Sequence, residues 1–124
     1  MKPSFAPGRN IAMKVPEHEY DRTVAFYRDV LGFEQLFDGE DATADGIGFA
    51  FGDKVLWLDR VAGLSQAELW LEVVTDDVEQ AAAYLERSGC ARRDGIEPLP
   101  EGMAAFWISS PANIIHLVCD GDDT

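Results

Sequence analysis

Two cysteines in 124 residues are too few for a disulfide-stapled scaffold. Cys90 and Cys119 form no C-x-x-C and no metal-ligand spacing, so buried, reduced thiols of a cytoplasmic protein are expected. Basic residues are also scarce: 10 Lys and Arg stand against 23 Asp and Glu, for a formal charge of −13. Such a surface repels phosphate backbones and anionic lipid, which argues against nucleic acid and membrane as partners. No run approaches the ~18 apolar residues of a membrane span. Met1 to Arg9 lacks the apolar core of a signal peptide. Histidine is nearly absent, with only His18 and His116.

What remains is an ordinary globular composition, 47% hydrophobic and 27% charged, in a chain long enough for one real core. Residues 1–9, with Pro3, Pro7 and Gly8, read as a flexible lead, and residues 120–124 as an acidic tail. Between them, 10–119 is expected to be one domain.

Asn10 to Val15 alternates in polarity, placing Ile11, Met13 and Val15 on one face and Asn10, Ala12 and Lys14 on the other. A helix is expected from about Glu17 to Leu31. Tyr20, Val24, Tyr27 and Leu31 form its apolar stripe, widened by Phe26 and Val30, and Gly32 ends it. Strands follow at 33–37, 47–51 and 54–59, the last two joined by a tight Gly52-Asp53 turn. The acidic run Asp38 to Asp41 belongs in a surface loop, and Val61 to Gln66 in a linker. Then the order restarts. Glu68 to Thr75 is a strand with Glu68, Trp70 and Glu72 on one face and Leu69, Leu71 and Val73 on the other. Asp76 and Glu79 suggest a capping box for a helix carrying Val78, Ala82 and Leu85, closed by Gly89. Strands at 90–94, 104–109 and 114–119 complete the copy, and Pro98 and Pro100 leave 95–102 as an extended loop. Phe26-Tyr27 before Gly32 and Ala83-Tyr84 before Gly89 mark the same point of the two copies, about 57 residues apart.

The segment Thr23-Val24-Ala25-Phe26-Tyr27-Arg28-Asp29-Val30-Leu31-Gly32-Phe33 resembles the first module of glyoxalase-like, vicinal-oxygen-chelate proteins. Val74 to Ala81 resembles that family's lead into its second helix, and Ser110-Pro111-Ala112-Asn113 with Ile114 to Val118 resembles its ending. The resemblance covers about 10–119. It implies an α+β fold of two βαβββ modules, about 10–60 and 68–119, forming a curved mixed sheet around a groove. A homodimer is expected by the same resemblance. The linker permits the modules to pair within one chain or to exchange between two.

Metalloenzymes of the family hold a divalent ion with His and Glu side chains from four strands, because imidazole and carboxylate suit such ions and open positions chelate substrate oxygens. Carried over residue by residue, these positions fall on Asn10, Trp57, Trp70 and His116. Only His116 is a good donor, so no metal and no cofactor are expected. A rearranged site of Glu68 or Glu72 with His116 is the way a metal could return. His18, at the start of the first helix, reads as solvated.

The inward face would carry Asn10, Trp57, Glu68, Trp70, Glu72 and His116, joined by Trp107 if Phe106 takes the opposite phase. Indoles beside carboxylates suit a flat aromatic or cationic organic ligand through stacking, cation–π attraction and charge-assisted hydrogen bonds. The bland alternative is that the tryptophans fill the core. The leading functional expectation is a metal-free small-molecule-binding protein like the family's drug-sequestering members. One alternative is a lyase, isomerase or dioxygenase with a rearranged or metal-free site, using His116 as a base with Glu68 or Glu72. Another is a dimerising regulatory subunit without a ligand.

Overall fold

The computed structural model describes residues 2–37 and 46–121. The acidic run from Asp38 to Asp41 and the last residues of the expected tail lie outside the described residues. The chain divides into two compact units within its first strand, one of residues 9–69 and one of residues 1–8 with 70–124.

The unit of residues 9–69 carries most of β1 (Phe5–Pro16), then α1 (Glu17–Ala25), a π turn (Phe26–Val30), β2 (Gln35–Phe37), β3 (Gly46–Phe51) and β4 (Lys54–Val61). Its strands lie in the order β2-β3-β4-β1, with β1 parallel to β4 and the other pairs antiparallel. Register puts Ile11, Met13 and Val15 level with Leu56, Leu58 and Arg60. All three apolar β1 residues therefore face α1, where Val15, Tyr20, Val24, Phe49, Leu56 and Leu58 make a buried core. The Tyr20 hydroxyl donates to the Leu58 carbonyl at 3.0 Å, so this buried phenol brings its polar end to a partner.

The expected single helix to Leu31 ends its α-helical part at Ala25. Leu31 N–H donates to the Phe26 carbonyl, five residues back, at 2.9 Å. One extra residue per turn shifts the phase of the stripe. Tyr27 still packs on the core, but Phe26, Val30 and Leu31 are exposed, Val30 to 72%. Gly32 at φ 73° then ends the turn as its position in the sequence requires.

The second unit repeats this plan with most of β5 (Glu68–Thr75), then α2 (Val78–Arg87), β6 (Ala91–Arg92), β7 (Ala105–Ser109) and β8 (Ile115–Asp120), in the order β5-β8-β7-β6. Again the first strand is parallel to the last, and the remaining pairs are antiparallel. Ala81, Phe106, Ile108 and Val118 form its buried core, with Val73, Val78, Ala82 and Leu85 packed around them. Leu69 and Leu71, expected to share the work of Val73, remain 46% and 37% exposed.

Three local expectations are corrected. The cap of α2 is Asp77, whose carboxylate accepts from Gln80 N–H at 3.0 Å, and not Asp76. Asp76 instead accepts from the Ser4 amide at 3.0 Å, while the Thr75 hydroxyl donates to the Ser4 carbonyl at 2.8 Å. The lead of residues 1–9 is therefore structured from Phe5, which packs on the second unit's core and tilts against Tyr84. Asp120, assigned to the tail, is the last residue of β8, where Thr75 is its register partner.

Candidate functional site

Each unit has a strand face turned away from its helix, and the expected ligand residues sort onto or off it by register. In the first unit, Asn10, Ala12 and Lys14 on β1 share that face with Val55, Trp57 and Asp59 on β4. The neighbouring β3 residues are Gly46 opposite Asp59 and Gly48 opposite Trp57, so no bulky side chain from β3 competes with the indole. A Cβ at Gly46 would lie 2.7 Å from Asp59 Oδ1, closer than van der Waals contact allows. Trp57 Nε1 donates to Asn10 Oδ1 at 2.9 Å. Lys14, nearly buried, meets Asp59 Oδ2 at 2.8 Å. An aliphatic stem under cover with its charge on a carboxylate satisfies the cost of burying an ammonium group.

In the second unit, Trp70 and Glu72 on β5 share the corresponding face with Trp107 and Leu117. Phe106 takes the core side, which settles the phase of Trp107. The Trp70 and Trp107 rings meet edge to face, 5.3 Å between centroids and 69° between planes. Glu72 is only 9% exposed, and Gly8 lies against it so closely that a Cβ there would overlap its side chain. Glu68, on the same strand face by alternation, is exposed.

His116 does not join them. It pairs with Leu71 and with Ile108, and Ile108 belongs to the core beneath α2. Its side of β8 is therefore the helix side, opposite Glu72 and Trp107, and its Nδ1 lies 3.0 Å from the Ile114 carbonyl. The turn before β8 sets this phase. Ser110 N–H bonds the Ile114 carbonyl, Asn113 adopts φ 63°, and Asn113 N–H returns to Ser110. Sequence matching without that tight turn places His116 one residue out of phase.

A fit for the metal expected of such a fold can be judged from these donors. Asn10 has its carbonyl oxygen on the Trp57 indole, Trp57 and Trp70 have no lone pair to give, and the inward residue beside Glu72 on β8 is Leu117. Among the described residues, no three His, Cys, Asp or Glu side chains are grouped to hold an ion. In neither unit do these donors fit a divalent metal.

The sequence profile of the Glyoxalase/Bleomycin resistance protein/Dioxygenase superfamily matches residues 13–115. The chain belongs to that superfamily. Its α+β fold of two βαβββ modules is the glyoxalase-like fold. The Mn(II)-bound glyoxalase from Novosphingobium aromaticivorans is similar over 96% of this chain and 40% of its own length, with a TM-score of 0.66 and 22% identity. Homoprotocatechuate 2,3-dioxygenase from Brevibacterium fuscum, in a complex with 3,4-dihydroxyphenylacetate, is similar over 95% and 37%, with a TM-score of 0.61 and 22% identity. The hypothetical protein BH1468 from Bacillus halodurans C-125 matches 94% of both chains, with a TM-score of 0.64 and 12% identity. This superfamily member thus spans about 40% of the glyoxalase and a smaller share of the dioxygenase. No curated protein sequence matches it. Among the described residues, no helix is long and apolar enough to cross a membrane.

Proposed function

We propose that this superfamily member is a metal-free binder of an aromatic or cationic organic molecule, held on strand faces turned away from the helices. The observation that carries the reading is the replacement of donors by rings. At positions where the family resemblance assigns metal ligands, the chain has Trp57 bonded to Asn10 and Trp70 braced by Trp107. Indole faces attract cations and flat rings, and Glu72 beside Trp70 supplies negative charge for a bound cation. The proton-transfer alternative loses its arrangement, because His116 and Glu72 occupy opposite faces of adjacent strands. A cytoplasmic setting fits the two unbridged cysteines, one of them fully buried.

The reading is tested first by elemental analysis of protein expressed in medium supplemented with Mn, Fe, Ni and Zn, then dialysed. No stoichiometric metal is expected to remain. One retained equivalent of any of the four, lost on replacing Glu72 or His116, would sink the proposal.

A further inference from the structure

The segment between β6 and β7 makes three hydrogen bonds to one residue. Trp107 is 6% exposed, and its indole Nε1 donates to the main-chain oxygen of Glu97 at 2.9 Å. Its amide donates to Asp94 Oδ1 at 3.2 Å, and its carbonyl accepts from Arg93 N–H at 2.8 Å. Residues 93–104 contain no strand or helix. Pro98 and Pro100 fix φ and remove two backbone donors, and Met103 N–H closes a turn on the Pro100 carbonyl at 3.1 Å. Ile96 N–H closes a second turn on the Arg93 carbonyl at 3.0 Å, and both turns are local to the segment, whereas the three bonds to Trp107 tie it to β7.

The same indole touches Trp70 edge-on. Its single N–H is taken by the Glu97 carbonyl, so it keeps no donor for a ligand. Trp107 thus contacts both the Trp70 ring and the loop that carries Glu97. We propose that Trp107 is a positioning residue, latching segment 93–103 as the wall that determines which ligands reach Trp70. This inference rests on the ligand-binding reading above.

The test uses the full chain and the cation N-methylquinolinium as probe. Trp107→Phe keeps an aromatic ring but removes the indole N–H. Amide exchange across residues 95–103 is expected to speed up about tenfold while exchange in α2 stays unchanged, and affinity for the probe is expected to fall about tenfold. A merely structural role would raise exchange in α2 and β8 as well. The double variant Pro98→Gly/Pro100→Gly leaves Trp107 intact and loosens the same segment, so it carries the test if Trp107→Phe does not fold. Its affinity is expected to fall in the same direction. Wild-type affinity in either folded variant overturns the inference while leaving the functional reading standing. A wild-type protein that does not bind the probe overturns both.

Discussion

Phe49→Ala and Phe106→Ala are each expected to lower the unfolding free energy by about 3–5 kcal/mol, measured by urea denaturation. Phe49 has no exposed surface and Phe106 only 2%. Each lies at the centre of one unit's core, packed between strands and helix, so truncation removes buried area and leaves a cavity. Against a total stability of about 5–15 kcal/mol for a domain of this kind, either loss is large. A change below about 1 kcal/mol at either position would mean that the packing described for that unit is wrong.

Trp70→Ala is expected to behave in the opposite way. Trp70 is half-buried on the face away from the helix and belongs to neither core cluster. Its removal should weaken N-methylquinolinium binding about tenfold, the upper range of a partly desolvated cation–π contact. Stability should fall by much less than for Phe106→Ala. Fluorescence titration and urea unfolding on the same preparation separate the two effects. Unchanged affinity together with a loss of about 3–5 kcal/mol would identify Trp70 as packing and not recognition.

Most of the fold was legible because alternation and turn residues carried it. Ile11, Met13 and Val15 alternate with polar neighbours and pack beneath α1 as that pattern predicts. Gly32, Gly52 and Gly89 take the positive φ their positions call for. The misses fall where one residue changes a phase. The π turn at Phe26–Val30 follows no pattern of apolar spacing, so the stripe predicts burial for Phe26, Val30 and Leu31, which are exposed. The cap at Asp77 and not Asp76 depends on where β5 lets go, and Asp76 is taken by Ser4.

The strand faces of the candidate residues were legible in part for the same reasons. Asn10, Trp57, Trp70 and Glu72 could be placed by counting along strands anchored at both ends. Trp107 could not, because Phe106 beside it has the same preference for a core, and only pairing with β8 decides between them. His116 rests on matching the family's ending motif across the turn before β8, where a slip of one residue turns a side chain to the opposite face. The bond from Asn113 to Ser110 and the positive φ at Asn113 are the physical reason for that slip. An Asn between two strands was the available signal, since it tolerates this conformation better than most residues.

Calorimetric titration of chelator-treated protein with N-methylquinolinium separates metal-free ring binding from metal chelation. Saturable binding is expected without any metal, with weaker binding of the anionic bicyclic analogue 1-naphthoate and the same isotherm after Mn(II) is added. Binding that appears only once a divalent metal is supplied, or an equal preference for the anion, would contradict the proposed function.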